Sequence, residues 1–236
     1  MRKVEQTESV FWNIIQQVFM PMVIYYVVSN CLVFLGFAAI QSWENLFGMI
    51  EENILFYMET FVKMAGMALG GLMVLPYFKR EKQGKEPTRL SGFVMFGLIL
   101  VGGILSLGIN YIFFVSGFTQ SSEQYQQVAE SQFALPLWLA CIFYGILSPV
   151  VEETVFRGIV YCALRRNIGK TMAIVGSAFC FGIFHGNMVQ MVYAGLMGGV
   201  LAYIYQKHES LLAPVLVHGA ANIAIYIATL FISSGV

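Results

Sequence analysis

Long apolar segments dominate this sequence. They lie at roughly 11–40, 55–77, 91–114, 135–163, 171–187, 188–206 and 211–233. Several reach the ~20 consecutive apolar residues that a membrane-spanning helix requires. Of all residues 58% are hydrophobic and only 11% are charged, which is too little charge for the surface of a soluble domain of this length. We therefore predict an all-α polytopic membrane protein, a bundle of about seven to eight transmembrane helices.

The apolar segments show no division into separate domains. No Pro/Ser-rich linker, low-complexity tract or clear internal repeat interrupts the chain, so we predict a single integral-membrane domain over 1–236. The boundary between the segments 171–187 and 188–206 is the weakest, because only Gly186 and Asn187 mark it.

Basic residues are concentrated at alternate ends of the apolar segments, and the connections 41–54 and 115–134 contain no Lys or Arg. The basic residues are Arg2, Lys3, Lys79, Arg80, Lys82, Lys85, Arg89, Arg165, Arg166, Lys170 and Lys207. By the positive-inside rule, this pattern predicts a cytoplasmic N-terminus. The net charge is zero, which gives no electrostatic basis for binding nucleic acid. Membrane lipid is the expected partner of the basic loop at 79–89.

Five ionisable side chains lie inside the apolar segments of the C-terminal half. Glu152, Glu153 and Arg157 are in one segment, His185 is in the next, and His218 is in the last. Hydrocarbon penalises such groups by at least ~2.5 kcal/mol each, so they are expected to face one another or a water-filled cavity. A buried polar site enclosed by the helices is therefore the first functional hypothesis.

The two adjacent glutamates must have different roles. On a helix, neighbouring side chains point about 100° apart, whereas Arg157 follows Glu153 by four residues and shares its face. Pairing with Arg157 would keep Glu153 ionised and neutralise much of its charge. By elimination, Glu152 is the carboxylate left for chemistry.

Two further patterns supply imidazole and amide groups. Phe181 and His185 are four residues apart, and so are His218 and Asn222, which places each pair on one helix face. Amide hydrolysis needs a base that takes a proton from water and donors that stabilise the oxyanion. We predict that Glu152 with His185 holds and deprotonates the water, and that His218 and Asn222 donate to the oxyanion.

These three patterns, EExxxR, FxxxH and HxxxN in this order on apolar segments, resemble those of the CPBP family of intramembrane proteases. This family includes the type II CAAX prenyl endopeptidases and the bacterial Abi proteins associated with bacteriocin immunity. The resemblance covers about 135–225, and the three preceding apolar segments share only their hydrophobicity with the family.

The resemblance implies an endopeptidase that hydrolyses a peptide bond at or within the membrane. It assigns water activation to Glu152 and His185, and the oxyanion hole to His218 and Asn222. Glu153 and Arg157 match motif positions that we interpret as supporting. No motif position is substituted, so an active enzyme is expected.

A metal-dependent mechanism is the main chemical alternative. Glu152, His185 and His218 could form a three-ligand zinc site with an open water position. The sequence has no HExxH helix, in which one turn pre-arranges two ligands and a base. We therefore favour a glutamate-based mechanism with no cofactor.

A transporter or a non-catalytic immunity protein is the alternative from another class, because buried charges also mark ion pathways. A transport path would place polar groups along several helices at successive depths, whereas here they gather in three motifs. We therefore favour an enzyme.

The expected substrate is a membrane-associated peptide or protein, either lipidated or transmembrane, and the expected location is a bacterial cell membrane. The depth of His185 is a difficulty, because it lies about 15 residues after Lys170. We favour a surface turn or interfacial helix at 164–175 over a fold-back of the chain near Gly186.

Overall fold

A computed structural model describes residues 9–82 and 89–233 of the chain. Within these ranges every regular element is a helix and no strand occurs. Six of the helices are long and apolar enough to cross a membrane. The prediction of an all-α polytopic membrane protein is therefore confirmed, and the protein is an integral membrane protein.

The chain divides into two compact units, Met1–Gln83 and Gly84–Val236. The predicted single domain over 1–236 stays a prediction. The basic residues Arg2, Lys3 and Lys85, which contributed to the topology prediction, lie outside the described residues.

The first unit is a pair of long helices, α1 (Ser9–Phe47) and α2 (Glu52–Lys82). The turn between them begins at Gly48, which has a φ of 100° that favours glycine. Two glycines of α2 face α1. A Cβ at Gly66 would lie 2.8 Å from the carbonyl oxygen of Ser29, and a Cβ at Gly70 would overlap the Ser29 hydroxyl. This pair of small residues lets the two backbones approach closely.

The second unit contains all three motifs and six helices. These are α3 (Gly92–Val115), α4 (Glu123–Phe133), α5 (Leu137–Ile168), α6 (Lys170–Ile183), α7 (Met188–His208) and α8 (Leu212–Ser233). Polar side chains define three of the starts: Ser91, Ser122 and Asn187 each accept a hydrogen bond from the backbone N–H three residues later. These are helix N-caps.

Helix α6 explains the difference between the predicted seven to eight spans and the six observed. It has 14 residues, or about 21 Å of rise, which is short of the ~30 Å hydrocarbon thickness. A turn at Gly169, whose φ is 85°, separates α5 from α6. It lies within the expected segment 164–175, and helix continues on both sides of it. The chain turns again at Gly186, whose φ is 78°.

Helix α5 is not a regular α-helix throughout. Its backbone is π-helical over Cys141–Leu147 and again over Thr154–Tyr161. The α-helical stretch Ser148–Glu153 lies between them and carries both motif glutamates. A π-helical turn is wider than an α-helical turn and changes which side chains and carbonyls face a neighbour.

Glycines also set the contacts around the motifs. A Cβ at Gly219 of α8 would overlap the carbonyl oxygen of Gly145 of α5. A Cβ at Gly182 of α6 would lie 2.7 Å from the carbonyl oxygen of Met191 of α7. These contacts bring α8 against α5 beside His218, and α7 against α6 beside His185.

Candidate active site

The deepest part of the site is an ion pair between Glu153 and Arg157. Both side chains are fully buried, and Nε of Arg157 lies 2.9 Å from Oε2 of Glu153. Among the described residues neither of these two atoms has a partner with hydrogen-bond geometry, so the contact is electrostatic. Arg157 also donates from Nη2 to the carbonyl of Gly198 at 3.2 Å. The pair leaves little net charge at this point.

His218 of α8 lies against both glutamates of α5. Its Nδ1 is 2.9 Å from Oε1 of Glu153, and its Nε2 is 3.8 Å from Oε2 of Glu152. Because a carboxylate oxygen accepts, Nδ1 is assigned as the N–H of this ring and donates a hydrogen bond to Glu153. Glu153 therefore fixes the orientation of the imidazole, and Nε2 is the nitrogen that faces Glu152.

Glu152 is held differently from Glu153. Its Oε1 accepts a hydrogen bond of 2.6 Å from the hydroxyl of Ser148, one turn earlier on α5. Ser148 is buried, whereas the Glu152 side chain keeps 13% of its surface exposed. No cation is paired with Glu152 among the described residues, apart from the distant Nε2 of His218. Glu152 is thus the accessible carboxylate of the two.

His185 is linked to the other site residues by its contact with the ring of Phe181. The rings of His185 and Phe181 meet edge to face with their centroids 4.8 Å apart. The ring of His218 also meets the Phe181 ring edge to face, at a centroid distance of 5.6 Å. The guanidinium of Arg157 lies 4.5 Å from that ring as a cation–π contact. The Nδ1 of His185 is 2.9 Å from the carbonyl oxygen of Phe181, so Nε2 is the ring nitrogen left for another partner.

Asn222 forms a hydrogen bond with the backbone of α5. Its Nδ2 donates to the carbonyl oxygen of Tyr144 at 3.0 Å. Tyr144 lies in the first π-helical stretch of α5. An Asn amide has two N–H donors, so this contact uses one and leaves one for a substrate.

The structure thus gathers Glu152, Glu153, Arg157 and His218 by direct contact. His185 joins them through Phe181, and Asn222 lies one turn beyond His218. These positions place the predicted residues in one region, and their catalytic roles stay a prediction.

Glu152, His185 and His218 are the candidate metal ligands. In the described part of the chain no group of three His, Cys, Asp or Glu side chains is arranged to hold a metal ion. These three candidates do not form a ligand set in this arrangement. The cofactor prediction itself stays a prediction.

Ser148 is a site residue that sequence reasoning missed. The signal was present, because Ser148 precedes Glu152 by four residues and therefore shares its helix face. It was overlooked because a serine in an apolar helix commonly bonds to its own backbone. The close contact between Gly145 and Gly219 was also missed.

The fold and this site define an integral membrane protein with a buried carboxylate–imidazole centre. A family model described as "Type II CAAX prenyl endopeptidase Rce1-like" matches residues 134–224, which include every motif residue. This part of the chain is therefore similar to the CAAX-type membrane endopeptidases, and the resemblance recognised from the three motifs is confirmed.

Two curated proteins are similar to this chain. "Putative membrane peptidase YdiL" of Bacillus subtilis is 28% identical over 118 residues, which cover 50% of this chain and 48% of that protein. "UPF0177 protein YbdI" of Lactococcus lactis is 24% identical over 147 residues, which cover 61% of this chain and 80% of that protein. The chain therefore matches about half the length of YdiL. No solved structure matches it significantly.

Proposed function

We propose that this protein is an intramembrane endopeptidase that hydrolyses a peptide bond by a glutamate-based mechanism. One observation carries the proposal: Glu152 is a largely buried carboxylate without a cation of its own, held by Ser148 and facing the imidazole of His218. Buried ionisable groups in apolar helices are costly and mark functional sites. The similarity of residues 134–224 to the type II CAAX prenyl endopeptidases supports a peptidase.

In the proposed reaction, Glu152 binds a water molecule and takes its proton while the water oxygen attacks the scissile carbonyl carbon. A carbon–oxygen bond forms, and the carbonyl oxygen becomes an oxyanion. When the carbon–nitrogen bond breaks, the proton passes from Glu152 to the leaving amine. The bonds and protons of this reaction balance without a metal or any reactant besides water and the peptide.

His218 and Asn222 are the proposed oxyanion donors. Asn222 has one N–H beyond its contact with Tyr144. His218 donates toward the substrate from Nε2 only as an imidazolium, because the neutral ring uses its proton on Glu153. In that form Nδ1 keeps its contact with Glu153, which holds the ring in place. His185 is proposed to orient the water together with Glu152.

The proposed substrate is a peptide or protein held at the membrane, either lipidated or transmembrane. The site lies within a unit whose helices are predominantly apolar, so a soluble chain would have poor access to it. YdiL bears the name of a membrane peptidase, and we carry this activity to the present chain only as a proposal. We also propose a bacterial cell membrane as its location.

Replacement of Glu152 by Gln tests the proposal. The change removes the proton acceptor and keeps the size of the side chain. We expect the membrane peptides of cells with wild-type protein to include cleavage products that are absent with Glu152→Gln. The matched control is Glu123→Gln, which changes an exposed carboxylate of α4 and should leave the products unchanged. Identical products in all three strains would contradict a protease and favour a non-catalytic protein.

Metal analysis tests the mechanism separately. Purified, active protein is expected to contain no stoichiometric metal and to keep its activity after treatment with a chelator. Stoichiometric zinc whose removal and return switch cleavage off and on would replace the proposed mechanism by the metal-dependent one, without changing the peptidase assignment.

A further inference from the structure

A cavity of about 690 Å³ lies between helices α3, α4 and α8. Its volume is within the ~300–1,000 Å³ range of small-molecule sites. The lining is largely apolar and includes Leu107 and Phe114 of α3, Phe133 of α4, and Ile225 and Ala228 of α8. Such a space between helices fits a hydrocarbon chain.

This cavity is separate from the candidate active site. On α8 the lining residues Ile225 and Ala228 follow His218 by seven and ten residues, which is about 10 and 15 Å along the helix axis. None of the six motif residues lines the cavity. A function for this cavity therefore goes beyond the proposed peptidase activity and does not depend on it.

The mouth of the cavity is polar and carries negative charge. Gln120, Gln126 and Glu130 line it, and all three are exposed. Burial raises the pKa of the lining Tyr125 hydroxyl, so this side chain is neutral near pH 7. Among the described lining residues, Glu130 is therefore the only one charged at neutral pH. The surrounding segment 116–134 has no Lys or Arg.

We propose that this cavity binds a single-chain amphiphile with a cationic amine head. The hydrocarbon chain would lie between α3 and α8, where burial of apolar surface is favourable. The ammonium group would lie beside Glu130, with Gln120 and Gln126 as hydrogen-bond partners. An anionic head is disfavoured, because Glu130 would repel it and no basic residue of the segment 116–134 offsets that charge.

Photolabelling tests this proposal in the full-length protein reconstituted in phosphatidylcholine vesicles. The probe is a dodecylamine that carries a diazirine in its chain, and labelled peptides are mapped by mass spectrometry. We expect labels to concentrate on the facing parts of α3, α4 and α8. At equal membrane-bound concentration, dodecylamine should compete roughly three- to five-fold better than dodecanol, and dodecanoate should compete least.

Two pairs of variants separate the cavity from general membrane partition. Ala228→Trp places a large ring in the cavity and should lower labelling at least five-fold. Its control, Ile227→Trp, changes a neighbouring side chain that does not line the cavity and should keep the label. Glu130→Gln should remove the preference for the amine over the alcohol, whereas Glu123→Gln should retain it. Thermal unfolding of each variant checks that the protein is folded.

Labels spread evenly over the apolar helices, and unchanged by Ala228→Trp in folded protein, would overturn the site. Equal competition by amine and alcohol in the wild-type protein would overturn the proposed head group. Glu152→Gln should bind the probe as the wild type does. A failure of the peptidase proposal and a failure of the amphiphile site are thus distinguished.

Discussion

Glu152 and Glu153 are adjacent in sequence and have different surroundings. Glu153 is fully buried against Arg157 and His218, whereas Glu152 contacts Ser148 and keeps part of its surface exposed. Removing one partner of a buried ion pair typically costs about 3–5 kcal/mol, because the other charge is left unpaired. Glu153 and Arg157 therefore act as one structural unit that holds His218, and this leaves Glu152 available for the proposed proton transfer.

Ser148 is predicted to be a positioning residue for Glu152. Ser148→Ala removes a hydrogen bond to a carboxylate, an interaction worth roughly 1.5–3 kcal/mol, so kcat should fall by about ten-fold or more. KM should change little, because Ser148 acts through Glu152 and not on the substrate. Kinetics of cleavage by reconstituted protein measure both constants.

The conservative variant Ser148→Thr retains the hydroxyl and should recover most of kcat. A purely structural role for Ser148 would instead show as a lower unfolding temperature, with kcat of the folded fraction unchanged. Loss of activity in Ser148→Thr equal to that in Ser148→Ala, with both proteins folded, would contradict the positioning role.

The two π-helical stretches of α5 accept hydrogen bonds from the neighbouring helices. The carbonyl of Tyr144 in the first stretch accepts from Asn222 of α8. The carbonyl of Phe156 in the second stretch accepts from the hydroxyl of Ser177 of α6 at 2.8 Å. A carbonyl oxygen has two lone pairs and can accept a second hydrogen bond from a neighbouring helix, and a π-helical turn changes which carbonyls face that neighbour. Helix α5 thus carries the glutamates and also fixes α6 and α8 around them.

Close packing of α8 on α5 should control the position of His218. In Gly219→Ala, the new Cβ would overlap the backbone carbonyl of Gly145, so α8 must shift. Overpacking of this kind costs typically 1–3 kcal/mol. We expect a lower unfolding temperature in detergent and a loss of cleavage, since His218 and Asn222 move with the helix.

Gly103→Ala is the matched control, because a Cβ there meets no atom within 4 Å. It lies on the apolar helix α3, so the chemical change is the same. Equal effects of the two substitutions would contradict the packing argument, and full activity of Gly219→Ala would show that His218 tolerates the shift.

At the scale of the whole molecule, the positions of the basic residues are partly explained by the fold. Arg165, near the end of α5, forms an ion pair of 2.8 Å with Glu209, which follows α7. The basic ends of α5 and α7 therefore lie together within the second unit. This agrees with the expectation that both ends lie on the same side of a membrane. The assignment of that side to the cytoplasm stays a prediction.

Cysteine labelling in intact cells tests the orientation. In a variant whose four native cysteines are replaced by serine, Ser121→Cys should react with a membrane-impermeant maleimide. Arg89→Cys should react only after the cells are opened, because the basic loop is expected in the cytoplasm. The reverse pattern would contradict the predicted cytoplasmic N-terminus.

The sequence by itself determined the class of fold, the family and the residues of the three motifs. Apolar segments long enough to span a membrane leave only helices or closed barrels, and the observed helices coincide closely with those segments. Residues four apart on a helix share a face, so the pairing of Glu153 with Arg157 followed from local geometry. These conclusions depend on short-range periodicity, which the sequence records directly.

Only the tertiary structure decided how the motifs meet. The contact of His218 with both glutamates, the shared ring of Phe181 and the attachment of Asn222 to Tyr144 join residues that are far apart in the chain. The short helix α6 and the turn at Gly186 also depend on neighbouring helices, because composition cannot distinguish a short apolar helix from a complete span. Close contacts such as Gly219 with Gly145 set these positions, and their partners are not encoded by local spacing.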